Sequence, residues 1–180
     1  MGERNRPGAS ILEIGCADGV CSARVVAAGY RATGLDFSPR MIEATRRRLT
    51  AAGLTAELVL ADLNFWQPSH PYDAVVALMW EFFTYVSHPA PVLGRVAAAT
   101  QRKLLVDLDS RSTDRRAPMR CLRSAGFDRV SWRPFFVSQR VQLGRGASAA
   151  MRALESVRLV RSIPLRYKFV VVLKGEKVVS

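Results

Sequence analysis

Little in this chain invites metal or disulfide chemistry. Its 180 residues include three cysteines, Cys16, Cys21 and Cys121, and two histidines, His70 and His88. The cysteine number is odd, no C-x-x-C pair occurs, and the histidines are far apart, so neither a disulfide framework nor a zinc-type ligand set is written into the chain. We read reduced thiols, a cytoplasmic compartment and no metal site. Long apolar runs are missing too. None approaches the roughly 18 to 20 residues that a bilayer span needs, and the opening MGERNRPGAS has no apolar leader segment. Repeats, low-complexity tracts and linkers are absent, and a chain 49% hydrophobic and 23% charged suffices for one compact core. One domain over 1–180 is the expectation.

Acidic residues run short in one place. Residues 1–110 hold 11 Lys+Arg and 11 Asp+Glu, whereas 111–180 hold 16 and 4, so the last third carries the whole net charge of +12. One reading is an electrostatic footprint for nucleic acid, an anionic membrane surface or an acidic substrate; the other is the solvated face of an arginine-rich chain with few lysines.

Against these absences stands one organised stretch, Ile11 to Asp36. Ile11, Leu12 and Ile14 form a short apolar run, Gly15-Cys16-Ala17-Asp18-Gly19 turns sharply, and Val20 to Ala28 follows a helical pattern. Ala32 to Leu35 reads as a second strand with Asp36 at its tip, which makes one βαβ unit. Glycines allow close approach of the loop backbone to a ligand, and a carboxylate at such a tip accepts both hydroxyls of a ribose. The dinucleotide register G-x-G-x-x-G falls on Gly15, Ala17 and Val20, two glycines short, which disfavours NAD or FAD and with them a nicotinamide-dependent oxidoreductase.

Glu13-Ile14-Gly15-Cys16-Ala17-Asp18-Gly19 instead resembles the acidic-x-Gly-x-Gly-x-Gly signature of class I S-adenosylmethionine (SAM) dependent methyltransferases, with Ala17 at the middle glycine. The next stretch, Leu35-Asp36-Phe37-Ser38-Pro39-Arg40-Met41, is similar to the ubiquinone/menaquinone-biosynthesis-like members. Locally it reads as a helix start, with Ser38 as N-cap, Pro39 in the first turn and Glu43 placed there for the helix dipole, ending at Gly53. Met41, Ile42, Ala44, Thr45 and Leu49 alternate along it with Arg46, Arg47 and Arg48. The resemblance implies SAM as cofactor, with Glu13, Gly15, Cys16, Ala17 and Gly19 at the loop, Asp36 on the ribose and Phe37 on adenine. It also implies Asp62, after a strand over Ala56 to Ala61, on the adenine amino group, with the Leu63 backbone on the ring and Leu78 completing the cofactor side. Each carboxylate alone reads equally well as a turn or cap residue; the spacing of Glu13, Asp36 and Asp62 is what makes the set specific.

Tyr72 to Leu78 reads as a fourth strand, and the segment after it, Met79 to Pro89, keeps the family frame with its polar residues changed. Trp80, Glu81, Tyr85 and His88 are the candidates for lining the acceptor side, and Glu81, Tyr85 and His88 for a general base. The Asn/Asp-Pro-Pro-Tyr signature of base and amide methylation is absent. A helix over Pro89 to Thr100, a strand over Leu104 to Leu108, a helix over Met119 to Ala125, and strands over Arg129 to Val137 and Tyr167 to Leu173 complete the pattern. The resemblance implies a Rossmann-like α/β fold: a seven-stranded mixed sheet in the order 3214576, the last strand antiparallel, with helices on both faces. Residues 138–166 form an insertion between strands six and seven, with a basic amphipathic stretch over Ala147 to Ser162 that suits a lid, a surface helix or peripheral membrane contact.

The expected activity is methyl transfer to a small-molecule acceptor, hydrophobic or aromatic because Trp80, Phe82, Phe83 and Tyr85 follow strand four. The alternatives are an RNA-directed methyltransferase that uses the basic C-terminal third, and a SAM-binding protein without transferase activity. The oligomeric state is not readable from the sequence.

Overall fold

The computed structural model describes residues 7–78, 86–109, 116–135 and 170–178. The segment 79–85, which holds Trp80, Glu81 and Tyr85, and the insertion 138–166 lie outside the described residues.

The apolar run after Ala9 becomes β1 (Ser10–Ile14), and the Gly19 turn opens α1 (Val20–Ala27). Then come β2 (Arg31–Asp36), α2 (Pro39–Ala51), β3 (Glu57–Leu60), β4 (Tyr72–Ala77), α3 (Pro89–Ala98), β5 (Thr100–Asp109), α4 (Arg116–Ser124), β6 (Arg129–Phe135) and β7 (Val170–Glu176). The strands form one seven-stranded sheet in the order β3-β2-β1-β4-β5-β7-β6. The first four pairings are parallel, and β7 runs antiparallel to both β5 and β6. The expected strand order and edge geometry are therefore present.

From β1 and β2 the chain crosses over in one direction along the sheet; from β4 it crosses in the other. Right-handed crossovers in opposite directions place their helices on opposite faces, α1 and α2 on one and α3 on the other. Contacts agree, since α1 packs on α2 and α3 packs on α4. Along β1 the faces alternate: Leu12 and Ile14 join Val75, Ala77, Leu104 and Val106 in the core beneath α3, with Val92, Leu93 and Val96 of that helix, while Glu13 meets Ser22 of α1. Among the described residues no helix is long and apolar enough to cross a membrane.

Two local expectations need correction. Ser38 does cap α2, accepting the Met41 N–H at 3.4 Å, but Glu43 lies beyond the first turn and pairs with Arg46 at 3.4 Å on the exposed side instead of meeting the helix dipole. Strand seven does not stop at Leu173. It continues through Lys174-Gly175-Glu176, a polar tripeptide that reads as a turn in isolation but pairs with Leu104 and Val130 on either side of Gly175. A Cβ at Gly175 would lie 2.8 Å from the buried Phe127 ring, so the absence of a side chain lets that ring close the core under the sheet edge.

Gly175→Ala should therefore lower stability by about 1–3 kcal/mol through overpacking. Urea denaturation measures this, and Phe127→Leu in the same background should return part of the loss; an unchanged midpoint would show that the ring has room to shift.

Candidate functional site

Because β1, β2, β3 and β4 are parallel, their carboxyl ends and the loops that leave them share one edge, and the crossovers diverge between β1 and β4. Such a divergence opens a crevice at that edge. The loop after β1 is closed onto β2: Gly15 and Cys16 both donate backbone N–H bonds to Leu35 O, at 2.7 and 3.0 Å, and Gly19 N donates to Cys16 O at 2.9 Å. Gly15 and Gly19 have φ of 72° and 78°, and Ala17 between them has φ of 48°, the one non-glycine at positive φ among the described residues. An alanine in this region carries about 1–2 kcal/mol of strain.

Three side chains hold the strained turn. Asp36 Oδ2 accepts from Ala17 N at 3.0 Å, and the fully buried Thr45 of α2 donates from Oγ1 to Ala17 O at 2.7 Å. Arg48, one helical turn further on, bonds Asp18 O at 2.7 Å and Asp18 Oδ2 at 2.6 Å on the exposed side, where solvent screens the ion pair. Gly19 is doubly constrained, by its positive φ and because a Cβ there would lie 2.6 Å from Thr45 Cγ2.

Asp36 itself is buried at 6% exposure, and its second oxygen, Oδ1, accepts from Ser38 N at 2.9 Å. Each carboxylate oxygen keeps a further lone pair after one bond. Phe37, the next residue, is 73% exposed, and Leu78 at the end of β4 is 38% exposed. After β3, Asp62 Oδ1 accepts from Asn64 N and Nδ2 at 2.8 and 2.9 Å, whereas its Oδ2 takes no hydrogen bond among the described residues. The Leu63 side chain is buried in the core. The loop, Asp36, Phe37, Asp62 and Leu78 thus occupy one strand edge.

Glu13 and Cys16 face inward. Glu13 is buried and accepts a short hydrogen bond from Ser22 Oγ, tying β1 to α1; burial raises its pKa above the ordinary 4.5, against the lowering effect of the Ser22 bond. The Cys16 thiol, 3.8 Å from Thr45 Oγ1, is pushed up to about 11 by burial and stays protonated at neutral pH. Of the acceptor-side candidates, His88 is exposed and precedes α3 with no side-chain cap bond; Trp80, Glu81 and Tyr85 are outside the described residues. Sequence reasoning placed Thr45 on the buried stripe of α2 but not its bond to the loop. It missed the bonds of Ser22 and Asn64 altogether.

This strand order, with β7 against its neighbours, is that of the Rossmann-like class I methyltransferase fold. Residues 11–103 match the methyltransferase domain family, and the chain belongs to it. A ubiquinone biosynthesis O-methyltransferase from Thiobacillus denitrificans is 24% identical over 90 residues, 50% of this chain and 39% of that protein. The chain thus spans about two fifths of this relative's length. Among solved structures, magnesium protoporphyrin IX methyltransferase from Synechocystis PCC 6803, with bound SAM, is similar with a TM-score of 0.64 at 19% identity, over 97% of this chain and 72% of that one. The cyclase SpnF is similar with a TM-score of 0.69 at 19% identity, over 98% and 78%.

The raised pKa of Glu13 means that the folded state holds its proton more tightly than the unfolded chain. Stability from this group is therefore full below the ordinary 4.5 and is lost as pH rises through the higher folded value. Glu13→Gln removes that dependence. Thermal melts from acid to neutral pH should show the wild type losing ground to the variant as pH rises; parallel curves would show that Glu13 titrates alike in both states.

Proposed function

We propose that this chain is a SAM-dependent methyltransferase, a single domain over 1–180, whose acceptor is a hydrophobic or aromatic small molecule. The observation that carries the cofactor reading is Asp36: a buried carboxylate at a parallel strand tip, braced by two backbone N–H groups, with acceptor capacity left for a ribose diol. Phe37, exposed beside it, suits the adenine face, and Asp62 Oδ2 suits the adenine amino group. The glycine loop admits the amino-acid end of the cofactor close to its backbone. These residues fit SAM better than a dinucleotide, whose pyrophosphate would want glycines at Ala17 and Val20.

When bound, SAM supplies an electrophilic methyl on a sulfonium. The chain's part is to fix the adenosyl group at the edge of β1 to β3 and to leave the methyl toward the carboxyl end of β4. If the acceptor must lose a proton, His88, at the start of α3, is the described candidate to take it, alongside Glu81 and Tyr85. Exposed Leu78 at the end of β4 supports an apolar acceptor, as do Trp80, Phe82, Phe83 and Tyr85 in the sequence. The second reading, an RNA acceptor, rests on the 16 basic against 4 acidic residues of 111–180. It requires retention of RNA that weakens steeply with salt.

Calorimetric titration with SAM and S-adenosylhomocysteine tests the cofactor. Micromolar binding of both is expected, weakened about 10- to 100-fold in Asp36→Ala, since charge-assisted bonds to the ribose are lost. Binding of NADH in place of both would overturn the reading.

A further inference from the structure

The turn after β3 is held from a different element. Arg95, half-buried on α3, donates from Nη2 to Leu63 O at 3.1 Å and to Asn64 O at 2.7 Å, and from Nε to Trp66 O at 3.2 Å. The turn is helix-like, with Asp62 O accepting from Phe65 N and Trp66 N at 3.0 and 2.8 Å. Carbonyls at the end of such a turn face forward without a partner in the turn itself. A planar guanidinium, with donors in a fixed fork, can bind several of them at once; an ammonium is a point charge on a flexible stem.

The same turn carries Asp62. Its Oδ1 is fixed by Asn64 N and Nδ2, and the carbonyl of the same Asn64 is the shortest of the three bonds to Arg95. Asn64 Oδ1 in turn accepts from Ser87 N at 3.0 Å, which ties the turn to the chain entering α3. Among the described residues Asp62 Oδ2 accepts no hydrogen bond, and Asp62 itself is exposed just beyond the carboxyl end of β3. We propose that Arg95 is a positioning residue for cofactor recognition: through the Leu63, Asn64 and Trp66 carbonyls it aims Asp62 at the exocyclic amine of the bound adenine. This rests on the reading of the site as a SAM site.

The test compares S-adenosylhomocysteine with S-inosylhomocysteine, which has oxygen in place of that amine, by titration of wild type, Arg95→Ala and Arg95→Lys. Wild type should prefer the adenine form by about tenfold or more, the worth of one hydrogen bond to a charged acceptor. In Arg95→Ala the ratio should fall toward one, with Arg95→Lys between the two. General loss of stability shifts the melting temperature but not this ratio, so a lower melting temperature with an intact ratio overturns the proposal. If Arg95→Ala does not fold, a wild-type ratio in Arg95→Lys overturns it equally. Wild type that binds S-adenosylhomocysteine without discriminating removes the role of Asp62 and the proposal with it, whereas wild type that binds neither compound refutes the SAM reading beneath.

Discussion

The carboxylate of Asp36 is the interaction on which the edge of this sheet depends. It is buried, so it must be paired, and its two oxygens are taken by N–H groups from two different loops. Ala17 N fixes the turn after β1, and Ser38 N fixes the turn that starts α2. The remaining lone pairs are all that a ligand can reach. The group that would recognise a ribose is thus the group that shapes the loop around it, and preorganisation follows because the donors are in place before any ligand arrives.

The strain at Ala17 is tolerable for the same reason. A left-handed alanine loses about 1–2 kcal/mol, and each net hydrogen bond returns about 1 kcal/mol, more when one partner is charged. The bonds from Asp36 and Thr45 to the two sides of this one residue are of the right size to hold it. Thr45 has a second effect, because its methyl fills the space that a side chain at Gly19 would need. One buried hydroxyl residue on α2 therefore dictates both a bond in the loop and the glycine that ends it.

What was legible in the sequence is what is local. The apolar run Ile11 to Ile14, the glycine turn, the Ser38-Pro39 helix start and Asp36 at a strand tip are all specified within a few residues, and the structure places them so. The polar end of β7 was hidden because Lys174-Gly175-Glu176 becomes strand only through its two neighbours and the Phe127 ring beneath. Glu13 reads as a motif carboxylate, and nothing nearby in the pattern says that it turns inward to Ser22. Arg95 is the extreme case: its partners lie 29 to 32 residues away in sequence, on a turn whose carbonyls have no side-chain signature.

The placement of that arginine bears on how two half-sites make one. The groups proposed for the cofactor belong to β1, β2 and β3 and their loops, on one side of the point where the crossovers diverge; the candidates proposed for the acceptor side follow β4 in sequence. Direct displacement at a methyl, the reaction proposed for this chain, would require donor and acceptor to be closely aligned, so the two halves would need a fixed relation. Between β1 and β4 the sheet supplies ladder bonds, but the loops above it need their own connection. Arg95, reaching from α3 to the turn after β3, and the bond from Ser87 N to Asn64 Oδ1 provide it, the first from the helix itself and the second from the chain just before it.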